Sequence, residues 1–184
     1  MSDADILRKK KLVQEKVWLL LSKTQKHITQ NIATAFPDFP LANFKPGKIS
    51  KGENYQDLPY MVLDYPAKLT QEDILAFRTM FYWGNFYSAT MHLQGRSLEK
   101  NRRQLVENLE DLISLNCFIS TNSTPWHYHY LSSNYARLSA EHAEKFSKDP
   151  FIKLSLQFNL DQYETLPASV TQFYLSLIKI IKYR

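Results

Sequence analysis

Only four of the 184 residues are glycine, at positions 47, 52, 84 and 95, and this scarcity excludes whole classes of fold-bound chemistry before any element is placed. A Gly-x-Gly-x-x-Gly dinucleotide turn and a P-loop both need glycines at fixed short spacing, where the backbone must approach a phosphate closely. Neither can be written anywhere in this chain. The single Cys117 likewise removes disulfide frameworks and cysteine-based zinc sites. No Gly-x-Ser-x-Gly elbow, His-Glu-x-x-His pair, EF-hand loop or kinase motif set occurs, and no local motif marks Cys117 as a nucleophile. The chain has the length of one domain, residues 1–184. With 44% hydrophobic and 14% aromatic residues it has enough apolar surface for a core that needs no metal or disulfide staple.

Residue spacing supplies the order of elements. Ile6, Val13, Val17, Leu20, Leu21 and Ile28 fall within one arc of about 100° on a helical wheel, so residues 3–32 are expected to form one long helix capped by Ser2. Trp18 and Leu19 lie outside that arc and point to a second covering surface or an oligomer contact. Prolines at 37, 40 and 46 mark an irregular but apolar stretch over 36–50. Residues 58–65 alternate as a strand that Pro66 ends. Thr70 and Asp73 form a capping box, with Leu69 and Ile74 as its staple, which predicts a helix over 70–83 stopped by Gly84. A strand over 85–93, a helix over 97–114, a hairpin of strands 117–121 and 126–131, a short helix over 140–147, a strand over 151–160 and a last helix opened by Pro167 follow. The economical solution is a single layered α+β domain: a largely antiparallel sheet of about five strands covered by helices, with long helices at both ends.

Charge is unevenly placed. Seven basic side chains oppose three acidic ones in residues 1–26, whereas Lys68 alone faces Glu53, Asp57, Asp64, Glu72 and Asp73 in residues 52–73. A basic helix attracts anionic partners, but no basic and aromatic strand pair of the RNA-recognition kind is present, which counts against nucleic acid. The longest early apolar run, 17–21, is far too short to span a bilayer or to serve as a signal-peptide core. A cytoplasmic address without a membrane span is the expectation, and the lone thiol agrees with it.

Three groups of residues carry candidate chemistry. Within Trp126-His127-Tyr128-His129-Tyr130 a two-residue period puts both imidazoles on one face. A metal would need a third ligand, for which His92 or Asp64 is available only if the sheet order allows it, so no metal site is assigned. Arg78 lies amid an almost wholly apolar stretch and must be compensated. Either Asp64 or Glu53 pairs with it, or it faces a cavity that takes an anion. Glu53 and Asp64 together form a possible acid and base pair.

The stretches Gly52-Glu53-Asn54-Tyr55, Leu58-Pro59-Tyr60-Met61-Val62-Leu63-Asp64-Tyr65-Pro66 and Arg78-Thr79-Met80-Phe81-Tyr82-Trp83-Gly84-Asn85-Phe86 resemble a family of small uncharacterised bacterial proteins of unknown function. The resemblance covers about residues 49–95 and implies no activity, substrate or cofactor; it marks only this region as the informative one. The leading functional expectation is a small-ligand or protein-partner binder whose aromatic and histidine-lined surface includes Arg78, His92, His127, His129, Asp64, Glu53, Tyr60 and Trp83. One alternative is a hydrolase or metal-assisted enzyme using His92, His127 and His129 with Asp64 or Glu53. The other is a homo-oligomeric assembly protein, a homodimer for example, that presents Trp18, Leu19 and Leu175 to a second copy. No cofactor is indicated.

Overall fold

The computed structural model describes residues 3–181, so the Ser2 cap lies outside the described residues. Its frame is one open antiparallel sheet of seven strands in the order β1-β2-β3-β4-β7-β5-β6. The strands are β1 (Lys48–Tyr55), β2 (Leu58–Leu69), β3 (Asp73–Tyr82), β4 (Phe86–Gly95), β5 (Phe118–Ser120), β6 (Tyr135–Arg137) and β7 (Phe151–Phe158). Five α-helices accompany them among the described residues: α1 (Asp3–Ala35), α2 (Arg96–Glu107), α3 (Leu109–Ser114), α4 (Ala143–Lys148) and α5 (Leu166–Ile180).

The strand period sorts side chains onto two unlike faces. On one, Leu63, Leu75, Phe77, Phe81, Ala89, Met91, Ile152 and Leu154 are buried and join the main core with α1, α2 and α5. Tyr174 of α5 places its ring 4.8 Å from Phe77 and its hydroxyl 3.2 Å from Thr79 Oγ1. Each such ring removed from water contributes about 2–3 kcal/mol. Along α1 the buried residues Val17, Leu21, Thr24, Ile28 and Ile32 recur every three or four positions. No described α1 residue before Val17 is buried, although the 33-residue helix is about 50 Å long. Ile6, expected in the core, is 53% exposed, and Trp18 and Leu19 are also exposed.

Several expectations are corrected. The strand count is seven rather than about five, because β1, β3 and β6 are strands that the sequence did not announce, while the expected strand over 126–131 is absent. Residues 73–82 form a central strand and not a helix. The Thr70 hydroxyl does accept the Asp73 N–H at 3.0 Å, but Thr70 N–H also donates to the Asp73 carbonyl and so closes a two-residue hairpin turn. The same side-chain bond serves a turn or a helix start, and Ile, Phe, Thr, Phe and Tyr then favour the extended chain. β2 continues through Pro66, which sits at a bulge between Asp64 and Ala67 where no ladder bond is asked of it. The hairpin partner of β5 is β6. Residues 126–131 are not a strand; they belong to an irregular segment that crosses the second face.

Candidate functional site

Among the described residues the second face carries no helix, and it is unusually polar. Asp64, Arg78, Thr90 and Ser155 stand in register across β2, β3, β4 and β7, and Ala76, His92 and Lys153 form the neighbouring row. Segment 121–134 lies over both rows and contributes buried Tyr128, His129 and Asn134.

Arg78 is compensated by Asp64: its Nε and Nη2 donate to the two carboxylate oxygens at 2.7 and 2.8 Å. Burial opposes charge on this guanidinium, yet the Asp64 bonds win and hold it firmly cationic. Lys153 has no such partner. It is fully buried, donates to the backbone carbonyl of His127, and is paired with no carboxylate among the described residues. Its ammonium lies 4.0 Å from the Tyr128 ring centroid and 5.2 Å from that of Tyr135. Arg78 stands 4.9 Å from the same Tyr128 ring, so two cations share one aromatic neighbour. Burial, reinforced by the Arg78 charge, pushes the Lys153 amine down to about 7.

His92 is buried beside Lys153, edge-on to Trp126 and Phe151, with Nε2 unpartnered. Burial first, then Lys153 and Arg78, depress its pKa to about 3, so this imidazole is neutral. His127 and His129 do face one another, with ring centroids 5.3 Å apart, although their segment is not a strand. His129 Nδ1 receives the Tyr55 hydroxyl at 2.9 Å and Gln56 Nε2 at 3.0 Å, and burial, His127 and Lys153 all lower its pKa. The Tyr55 hydroxyl in turn accepts the backbone N–H groups of Tyr128 and His129 at 2.7 and 3.2 Å. A single phenol in the β1–β2 hairpin thus clasps the covering segment. Among the described residues no three His, Cys, Asp or Glu side chains converge as metal ligands, so the two facing imidazoles lack the third donor that metal-assisted chemistry through them would need.

The remaining residues divide. Tyr60 lies on this face, packed with Val62, Met80, Tyr82, Phe86 and Tyr128. Glu53 does not approach Asp64: it sits on the edge strand and accepts Lys10 Nζ at 2.5 Å, which ends the acid and base pairing. Trp83 packs with the helical side of the sheet, against Phe81. Cys117 is buried, and burial raises its thiol to about 12, which makes it inert.

The seven buried side-chain atoms that lack a hydrogen-bond partner among the described residues all belong to this face or its cover: Ser88 Oγ, His92 Nε2, Gln94 Oε1, Ser120 Oγ, His127 Nδ1, Asn134 Oδ1 and Tyr135 OH. Ser88 stands beside Tyr130, His92 beside Gln94, and Tyr135 beside Thr90 and Ser155, without closing a well-formed bond. Such groups cost about 1–3 kcal/mol each when buried unmatched, and their concentration on one face sets it apart from an ordinary core. Lys153 and Tyr55 were not among the sequence candidates. The signal for Lys153 was its place with Ser155 and Gln157 at the polar positions that alternate with Ile152, Leu154 and Leu156. No helix among the described residues is long and apolar enough to cross a membrane. No family model, curated protein or solved structure matches the chain.

Proposed function

We propose that the protein binds a small aromatic carboxylate on the polar face of the sheet, beneath segment 121–134. The observation that carries this reading is Lys153, a buried amine with no carboxylate of its own, set with Arg78 around the Tyr128 ring. A buried ammonium is costly unless an anion joins it. A carboxylate meeting Lys153 would restore its charge, and the rings of Tyr128, Tyr130 and Tyr135 would flank the aromatic body of the ligand. Entry requires the cover to lift. The cover is suited to that, since it lacks regular secondary structure and its polar ties to the sheet are few: the Tyr55 hydroxyl, Gln56, the Lys153 bond to His127 and the Tyr130 hydroxyl on Ser155.

The test is thermal unfolding and calorimetric titration with benzoate, salicylate and inorganic phosphate. Benzoate and salicylate are expected to stabilise the wild type, more strongly near pH 6.5 than near 8.5 because Lys153 titrates at about 7. Lys153→Met abolishes the effect. Tyr55→Phe, which loosens the clasp without touching the cations, speeds association. Equal stabilisation of wild type and Lys153→Met, or no response to either aromatic carboxylate, overturns the proposal.

A further inference from the structure

On the opposite side of the sheet a second site is built from different chemistry. The first half of α1, the β3–β4 turn and the 3-10 turn at Leu160–Tyr163 enclose a cleft of about 730 Å³, within the size range of small-molecule sites. Val17, Phe81 and Tyr87 form its buried floor, and Leu19 and Tyr163 stand exposed at its rim. Among the described residues Lys16 is the one charged side chain in the lining.

Two features choose the occupant. First, Lys16 has no ion pair among the described residues, and the positions three and four away on its own helix are Leu12, Val13, Leu19 and Leu20. Lys9 and Lys10 on the same helix are matched, by Asp5 and by Glu53, whereas Lys11, Lys23 and Lys26 share with Lys16 the lack of a carboxylate partner among the described residues but do not line this cleft. The cation beside the cleft is therefore free for a ligand. Second, the lining is almost wholly hydrocarbon and aromatic ring, so the body of the ligand must be apolar. A second copy of the chain fits poorly. Antiparallel α1 helices would bring the unmatched Arg8 and Lys11 of one against Lys16 and Lys23 of the other, and like charges at close quarters repel.

We infer that this cleft binds the monomer of a single-chain amphiphile, a medium- or long-chain aliphatic carboxylate, with the chain between α1 and the Phe81–Tyr87 floor and the headgroup at Lys16. The inference does not rest on the reading of the polar face. Each added methylene that enters the cleft tightens binding about fourfold, as burial of one CH₂ implies. Lys16 adds a charge contact at the surface, and reversing it weakens binding by about fivefold to tenfold.

The experiment titrates the full chain with octanoate, decanoate and dodecanoate below their micellar concentrations, by calorimetry and by Trp83 emission in a W18F/W126F background. One-to-one binding is expected, with affinity rising along the series and Trp83 emission changing on saturation. K16E weakens every carboxylate but leaves dodecanol unaffected. V13W, which fills the cleft from α1, removes binding, and its melting curve checks that the fold is intact. Should V13W fail to fold, L19W at the exposed rim takes its place. The inference fails if affinity ignores chain length, if K16E and V13W bind like the wild type, or if the carboxylates do not bind as monomers while anionic phosphatidylglycerol vesicles do. That last result would make this a membrane-contact surface instead.

Discussion

Replacing Lys153 by methionine isolates what one buried amine does to the stability of this fold. In the unfolded chain the amine titrates near its ordinary value of 10.5, whereas in the fold burial and Arg78 bring it to about 7. Between these values the unfolded state holds a proton that the folded state does not, so stability rises with pH across that window and falls as pH drops through it. At 1.36 kcal/mol per unit the full window is worth roughly 5 kcal/mol, and the part between about pH 7.5 and 9.5 roughly 2 kcal/mol. Methionine has similar volume and no proton to exchange. It also loses the bond to the His127 carbonyl, at about 1 kcal/mol, but this loss barely changes with pH. The diagnostic quantity is therefore the slope. Urea unfolding of both proteins at several pH values should show the wild type gaining about 2 kcal/mol on the variant between about pH 7.5 and 9.5. Subtracting one protein from the other cancels the raised phenols of Tyr128 and Tyr130, which both proteins share. A difference that stays constant with pH would refute the assignment of Lys153 as a desolvated, unpaired amine.

Two further outcomes follow from the β2–β3 turn and the end of β4. Burial works against ionised Asp73, yet Lys68 at 2.5 Å and the Ser97 N–H at 2.7 Å hold its carboxyl at about 2. Its stabilisation is thus full above the unfolded value near 4 and lost as pH falls towards 2. Asp73→Asn should cost about 2 kcal/mol at neutral pH and flatten the acid limb of the melting-temperature profile; an unchanged limb would contradict this. Gly95 takes φ +63°, and a Cβ there would lie 1.8 Å from the Glu72 carbonyl oxygen, whereas Gly84 at φ +68° has open space around it. Gly95→Ala should cost more than about 2 kcal/mol and Gly84→Ala only about 1 kcal/mol. Calorimetric melting ranks the two, and equal losses would contradict the backbone contact.

What the sequence disclosed about the fold depended on how each strand is covered. β4 and β7 were legible because aromatic and β-branched residues crowd between clear turn signals. β3 was misread because it is buried on both faces, which erases the polar alternation that separates a strand from a helix, and because Thr70 and Asp73 make the same bond in a turn as at a helix start. β1 failed for the opposite reason. As an edge strand it is largely exposed, and Lys48, Ser50, Lys51, Gly52, Glu53 and Asn54 are the residues with which edges are kept from pairing further. The α+β layering survived these errors, since either reading leaves the same apolar faces to be covered.

The site was legible where electrostatics alone decided it. A guanidinium in apolar surroundings needs a carboxylate whether its element is helix or strand, and Asp64 supplies one directly across the ladder. Lys153 and the Tyr55 clasp were hidden because their meaning is tertiary. The polar rows of the second face are completed by a segment whose bonded residues lie 26 positions before Lys153 and 73 and 74 after Tyr55, a closure that no local pattern records. Helices bury one side of this sheet with their own hydrogen bonds already satisfied. The other side is covered by irregular chain, whose backbone must borrow partners from side chains. Tyr55 serves two of those N–H groups and Lys153 one carbonyl, so the cover is secured by the same residues that define the polar face. An anion drawing Lys153 away from the His127 carbonyl would loosen the cover as it binds, and this coupling makes the polar face a place to look for ligand-linked motion rather than a second, passive core.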